Sequence, residues 1–370
     1  MSFLVNSVVN ATLRARGQSI QRRKKRNPTH PAAKWKSPIQ LAGDKGTALA
    51  VVLSTVGCSH ARGPAGGCTM CSYLLDGNSV PPSSEDIVTQ FRTALQDLQG
   101  EQPPFVVKIY TSGSFLDPSE VPADARRRIL EMISAEQDVR QVVLESRPEY
   151  VTEASLVEVR HLLGDRLVEL GMGLETINDS IRSMCINKGF TYAQFADAVR
   201  LALDHGVGTR AYVLLKPPFL TERDALLDST ATIEEAIRLG VSSVSVNPVD
   251  IQRDTLVERL WSSGEYRPPW LWTVVEVLRL SRSRPSKSTP ILCEPAASGK
   301  MRGPHNCGAC DTQFTSAVRA FSLDQDTRHF DALECWCREL WRNALRHEDV
   351  SLITQLDLLG TKSFHKRKGP

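Results

Sequence analysis

Three cysteines, Cys58, Cys68 and Cys71, lie in the glycine-rich stretch Gly57-Cys58-Ser59-His60-Ala61-Arg62-Gly63-Pro64-Ala65-Gly66-Gly67-Cys68-Thr69-Met70-Cys71. An iron–sulfur cube takes one thiolate on each of its four irons. Three close thiolates with no fourth nearby leave one iron open, so a 4Fe–4S cluster held here would be a reagent as well as a brace. Glycines around the thiolates let backbone amides approach the sulfides. The competing chemistry is a zinc knuckle built from the three cysteines and His60. A second set stands near the other end, Cys307-Gly308-Ala309-Cys310 and Cys335-Trp336-Cys337. Four thiolates at that spacing suit a closed tetrahedral zinc, with His305 or Cys293 as substitute ligands and a second iron–sulfur cluster as the alternative.

These residues need a scaffold, and the chain alternates between two patterns. Short apolar runs at 48–56, 105–111, 141–145, 167–172, 209–215 and 241–246 read as strands. Stretches at 85–99, 122–136, 153–163, 191–205 and 222–239 carry apolar residues at three- and four-residue steps and read as helices. Ser84 and Thr191 are expected N-caps. Six βα repeats predict an α/β protein, a partial (β/α)6 barrel of the TIM type with a small C-terminal zinc-binding appendage. In such barrels the chemistry sits on loops after the strands' C-terminal ends. The cysteine loop follows the first strand, and Thr111-Ser112-Gly113-Ser114 follows the second. Glu145-Ser146-Arg147 and Glu175 end the third and fourth, and Lys216 and Asn247 the fifth and sixth. From residue 251 the rhythm changes to further helices and an aromatic cluster around Tyr266, Trp270 and Trp272, expected as core packing, with base stacking as the alternative.

An open iron at a barrel mouth calls for S-adenosylmethionine, bound through its amino and carboxylate groups. Thr111, Ser112, Gly113 and Ser114 are expected to offer backbone donors and hydroxyls to its methionine part. Glu145 or Glu175 would accept from ribose hydroxyls or the amino group, and Arg147 would pair with the carboxylate. The plainer role for a carboxylate at a strand end is to cap the next helix. Lys216, Glu222 and Asn247 stand near the same mouth, and Cys185 reads as a small buried residue.

Composition sets the outer bounds. The chain has 370 residues, 41% apolar and 24% charged, enough for a large core. It shows no apolar run that would cross a bilayer and no signal-peptide core, so no membrane role is expected and a cytoplasmic location is the default. Nine cysteines in such clusters favour metal over disulfides. The expected organisation is a basic N-terminal arm at 1–43, a barrel with following helices at 44–285, and a cysteine-rich zinc module at 286–370. The arm contains no Asp or Glu but carries Arg14, Arg16, Arg22, Arg23, Lys24, Lys25, Arg26, Lys34 and Lys36. It is either a solvated tail or a contact for nucleic-acid phosphates. The run His365-Lys366-Arg367-Lys368 is also basic.

Taken with their neighbours, the cysteines resemble the radical SAM superfamily. The nine-residue gap between Cys58 and Cys68 departs from the usual three and is similar to that of the Elongator catalytic subunit. The strings Gly67-Cys68-Thr69-Met70-Cys71-Ser72-Tyr73, Tyr110-Thr111-Ser112-Gly113-Ser114-Phe115-Leu116-Asp117, Glu145-Ser146-Arg147-Pro148-Glu149, Asn187-Lys188-Gly189-Phe190-Thr191, Leu215-Lys216-Pro217-Pro218-Phe219-Leu220-Thr221-Glu222 and Gly303-Pro304-His305-Asn306-Cys307-Gly308-Ala309-Cys310-Asp311 resemble, in order, the radical SAM subunits of archaeosine synthases. Ser72 departs from that pattern, where glycine is expected. The resemblance implies an enzyme acting on a lysine-adducted 7-deazaguanine in the tRNA D-arm. A reduced cluster would cleave S-adenosylmethionine to a 5′-deoxyadenosyl radical, which abstracts hydrogen from the lysine moiety. Carbon–nitrogen cleavage, a lyase-type reaction, would then leave archaeosine. The implied partners are tRNA, the lysine-transferring subunit of the synthase and an external electron donor. An Elongator-like uridine modifier and a non-enzymatic tRNA-binding protein with structural metals are the alternatives.

Overall fold

The computed structural model describes residues 3–21, 23, 25–41, 43–282 and 289–349. Arg22, Lys24, the basic run at 365–368 and most of the linker before the second cysteine set lie outside the described residues. Eight strands form one sheet in sequential order: β1 Ala33–Leu41, β2 Asp44–Val52, β3 Phe105–Tyr110, β4 Val139–Ser146, β5 Leu167–Glu175, β6 Gly208–Leu215, β7 Ser243–Pro248 and β8 Ile291–Leu292. β1 and β2 form an antiparallel hairpin, and every later pairing is parallel. The sheet curls into an open half-barrel. The six expected strands are all present. β1 and β8 are additions, β1 lying wholly inside the segment expected to be an arm.

Helices fill the crossovers between parallel strands and flank the two ends of the chain. In chain order they are α1 Phe3–Arg16, α2 Ser59–Arg62, α3 Ser84–Leu95, α4 Ala123–Ala135, α5 Glu153–Leu163, α6 Asp179–Ile181, α7 Tyr192–Asp204, α8 Glu222–Leu239, α9 Leu256–Ser262, α10 Leu271–Arg282, α11 Asp311–Asp324 and α12 Arg338–His347. Side chains that accept backbone N–H groups set the starts of several. Thr191 caps α7 in a capping box with Gln194, as its sequence predicts. The cap expected at Ser84 falls one residue earlier, on Ser83, which exchanges bonds with Asp86.

Strand alternation divides the sheet into two faces. Phe105, Val107 and Ile109 of β3 join Ile87, Phe91, Ile129 and Leu130 of the surrounding helices in the main apolar core. The opposite, concave face is layered. Ala48, Val106 and Val143 plug its base, with Ile39 and Leu41 of β1 packed on them. Above the plug lie Lys108 and the buried pair Arg210–Glu169 (2.5 Å). Above these, Trp35, Tyr110, Glu145, Tyr212 and Asn247 line a cavity of about 520 Å³.

The C-terminal module shares this core. Cys310, Phe314, Cys337 and Trp341 belong to the same apolar cluster as the barrel helices. Trp272 stacks on Trp341 with centroids 5.9 Å apart and meets Phe314 edge-on at 4.5 Å. The aromatic cluster is therefore core packing: Trp272 is buried, and the Tyr266 hydroxyl donates to the Lys216 carbonyl (2.5 Å).

Candidate active site

The expected first strand, 48–56, ends at Val52 because the next groups are claimed by neighbours. Leu53 N–H still donates to Tyr110 O, but Ser54 N–H donates to Gln90 Oε1 (2.8 Å). The chain then turns into the cysteine loop, and Cys58 precedes the single turn of α2. Gly67 has φ +83°, and a Cβ there would lie 2.8 Å from Ala61 Cβ, so only glycine lets the two halves of the loop close on each other.

Residues after β5 and β7 staple this loop. Asn187 Nδ2 donates to the carbonyls of Ala65 and Gly67 (both 2.8 Å), while Asn187 O lies 2.7 Å from His60 Nε2. Thr69 Oγ1 donates to Cys185 O (2.7 Å), and Ser72 N–H donates to Gln252 Oε1 (2.7 Å). His60 is thus spent on the staple. The three cysteines and His60 do not form a tight tetrahedral set; among the described residues only the C-terminal cysteines do. Cys185 is buried, as expected.

The loop after β3 is gathered by Glu120, which no motif in the sequence marks. Glu120 is 2% exposed and accepts from Gly113 N–H (3.1 Å), Ser114 N–H (2.8 Å) and Thr55 Oγ1 (2.9 Å), joining the first two strand-end loops. Its only sequence signal was an acid just before the Pro122 that precedes α4. Ser112 Oγ donates to Tyr73 O (2.9 Å), a second tie between those loops. Gly113 abuts Cys58 so closely that a Cβ would stand 2.7 Å from Cys58 Cα.

Cys58, Cys68 and Cys71 line the cavity, as do Thr111, Ser112, Gly113, Glu145, Arg147 and Glu175. Ser114 does not: it is fully buried, and its hydroxyl meets that of Ser146 (2.8 Å). Lys216 and Glu222 also fall away from the wall. They form a buried ion pair (2.7 Å) shared with Glu348, and Glu222 accepts from Trp270 N–H (2.8 Å). Asn247 does line the cavity. Arg147 is engaged by Glu149 (2.6 Å) and donates to Lys188 O (3.0 Å). Glu175 holds Lys188 Nζ (2.5 Å), a cation that lies in the Asn187-Lys188-Gly189 string rather than at a strand end.

These charges act on the thiols. Burial opposes ionisation of Cys68, yet Lys188 and His60 bring its pKa down to about 7. Burial and the neighbouring Cys68 push Cys71 up to about 12. Burial also raises Glu145 to about 7, against the hydrogen bond from Tyr212 and the charge of Lys188. The donor set suits an iron–sulfur cluster: three cysteine sulfurs on one cavity, with close backbone approach at Gly67 and Gly113.

At the second set, Sγ separations are 3.9 Å for Cys307–Cys310, 3.6 Å for Cys307–Cys335 and 3.8 Å for Cys310–Cys337. A tetrahedron of thiolates each about 2.3 Å from one zinc has edges of about 3.8 Å, so the four cysteines fit a single ion. Trp272 Nε1 and Asn306 Nδ2 each donate to a sulfur of this group, Cys337 and Cys310 respectively, at 3.4 Å. His305 and Cys293 stay outside the group. His305 Nδ1 lies 2.7 Å from Gly303 O, and Cys293 is buried against Ser322.

No family model matches the chain. It is 40% identical to the archaeosine synthase subunit beta of Methanosarcina acetivorans over 333 residues, 90% of this chain and 95% of that protein. It is also 40% identical to the archaeosine synthase subunit beta of Thermococcus kodakarensis over 325 residues, 86% of this chain and 99% of that protein. Among solved structures it is similar to methylornithine synthase, with a TM-score of 0.47, 14% identity, and 99% of this chain and 91% of that one covered. The ordered motif strings and the near full-length identity agree: the chain belongs to the archaeosine synthase subunit beta family.

Proposed function

We propose that this protein is a radical SAM enzyme of tRNA modification that completes archaeosine by breaking a carbon–nitrogen bond in the lysine moiety of a lysine-adducted 7-deazaguanine. The observation that carries this reading is the convergence of Cys58, Cys68 and Cys71 with the polar ends of β3, β4, β5 and β7 on one cavity. The three thiolates would hold a 4Fe–4S cluster with one iron free for S-adenosylmethionine. That pair, when bound and reduced, supplies the 5′-deoxyadenosyl radical that takes hydrogen from the substrate.

The chain's own residues would bind, orient and shield. Thr111, Ser112 and Gly113 present the β3 loop to the methionine end of the cofactor. Glu145, with its pKa near 7, can accept a hydrogen bond or donate one at little cost. Lys188 and Glu175 neutralise each other at the wall, so the pair offers polarity without net charge. Trp35 is about half exposed (48%) and stacks on Tyr110 (6.0 Å between centroids, 13° between planes). The free face of Trp35 gives a flat heterocycle, the extruded base, a surface to stack on.

The chain would work with a lysine-transferring subunit and an external electron donor in the cytoplasm. No described helix is long and apolar enough to cross a membrane. Its second site would hold structural zinc, which would brace the described C-terminal residues 289–349 against the barrel helices. The test is anaerobic reconstitution followed by strong reductant. The wild-type protein should cleave S-adenosylmethionine to 5′-deoxyadenosine, and Cys71→Ala should not. Equal cleavage by the two would remove the cluster from these cysteines. No cleavage by iron-replete wild type would leave a tRNA-binding protein with structural metals.

A further inference from the structure

The N-terminal segment carries a cation that neither the fold nor a nucleic acid explains. α1 packs Val8, Ala11 and Ala15 into a cluster with Cys185 and Ile186, against which Cys68 and Met70 also pack. Leu13 covers Gly66, where a Cβ would come within 2.7 Å of Leu13 Cδ2. Arg16, at the last position of the helix, is 3% exposed and reaches into the cysteine loop from behind. Its Nη2 donates to the Cys71 carbonyl (3.0 Å) and lies 3.3 Å from where a Cβ on Gly67 would be. Its Nε and Nη1 are buried and meet no hydrogen-bond acceptor among the described residues.

A guanidinium buried with two unmet nitrogens, and with no carboxylate partner among the described residues, is costly because it has lost its water. Such a group persists where an anion offsets it. It has no route to phosphates outside, since α1 and the loop enclose it. Other arm cations are likewise committed inward or paired. Arg23 Nη1 donates to Val56 O (2.9 Å) and Leu74 O (3.3 Å), flanking the start of the loop, and Lys34 and Lys36 pair with Asp97 and Glu101.

We infer that Arg16 is a positioning residue for the iron–sulfur site, holding the Cys68–Cys71 turn and counter-charging the cluster that the proposed function places there. Gly67 serves this contact: a side chain there would push the guanidinium off the turn. On this view the end of α1 clamps the cysteine loop, and the charge of Arg16 serves a bound inorganic anion.

The test uses the full chain, reconstituted anaerobically, with Arg16→Lys, which keeps the charge, and Arg16→Gln, which keeps a donor without it. Iron per chain and the cluster's midpoint potential by redox titration are the readouts, with circular dichroism to verify the fold. Loss of a nearby positive charge disfavours the more negative reduced state, so Arg16→Gln should titrate at a lower potential and Arg16→Lys near wild type. If Arg16→Gln takes up much less iron while Arg16→Lys fills normally, the charge requirement stands by that route. Equal iron and equal midpoints for all three proteins would overturn the inference. So would equal loss of iron in both variants, because the guanidinium would then be a packing element. Absence of iron from the wild type would instead refute the function on which the inference rests.

Discussion

Gly113→Ala adds one methyl group at the point where two strand-end loops touch. The added Cβ would lie 2.7 Å from Cys58 Cα, 2.8 Å from Cys58 Cβ and 2.6 Å from Glu120 Oε2, whereas ordinary contact begins near 3.4 Å. The loops must therefore part by about 0.7 Å, a forced insertion into a packed site of the kind that costs about 1–3 kcal/mol. Glu120 has little room to yield, being 2% exposed and held by three donors. The strain falls on the backbone of Cys58, so the thiolate furthest in sequence from the other two is displaced. Gly113 does not adopt a positive φ, and alanine itself is not strained there. Each kcal/mol lowers Tm by about 2–4 °C in domains of 150–250 residues, which sets the expected scale at a few degrees. Thermal melts of the metal-free protein and iron per chain after anaerobic reconstitution measure the two effects. The expected result is a modestly lower Tm with a larger, separate loss of iron. Wild-type Tm together with wild-type iron content would refute the contact as the element that sets Cys58.

Other perturbations address the remaining parts of the site. Trp35→Ala should weaken tRNA binding by roughly 5- to 150-fold, from about 1–3 kcal/mol per stacked base, with cleavage of S-adenosylmethionine retained and Trp35→Phe close to wild type; unchanged affinity would contradict the stacking role. Glu145 has its folded pKa raised to about 7, so its contribution to stability is present below the unfolded value and is lost as pH rises through 7. Glu145→Gln should therefore flatten the pH dependence of unfolding between about pH 4.5 and 7, and denaturant titrations that keep the wild-type slope would contradict this. Cys337→Ser should remove one equivalent of zinc by elemental analysis, lower the Tm and leave iron at the three-cysteine site; a zinc content equal to wild type would exclude Cys337 as a ligand.

The periodicity of the sequence is sufficient for β2 to β7 and the helices between them, because each of those strands is a short apolar run bounded by turn residues, whereas the two-residue β8 is too short to show a period. Periodicity is not sufficient for β1. Ala-Lys-Trp-Lys-Ser-Pro-Ile-Gln-Leu is an edge strand whose lysines alternate with apolar residues, and among so many basic neighbours it read as part of an arm. Cysteine spacing alone was enough to group Cys307, Cys310, Cys335 and Cys337, since close pairs in sequence need only one fold contact to meet. The same logic failed for single residues. Glu120 and Arg16 act through loops distant in sequence, and no local pattern marks a residue whose partners are carbonyls and amides. Lys216 and Glu222 were drawn to the mouth by their place at a strand end. The positive φ of Lys216 turns it instead into a buried ion pair beneath α10.

The central claim is that this cavity converts a lysine-adducted base in tRNA to archaeosine. Its most direct test is to give the anaerobically reconstituted, reduced protein S-adenosylmethionine and tRNA bearing that adduct, then digest the tRNA and analyse its nucleosides by mass spectrometry. Archaeosine should form with wild type, in step with 5′-deoxyadenosine, and should not form with Cys68→Ala. Cleavage of S-adenosylmethionine with the adduct left intact, or archaeosine formed equally by the variant, would contradict the account.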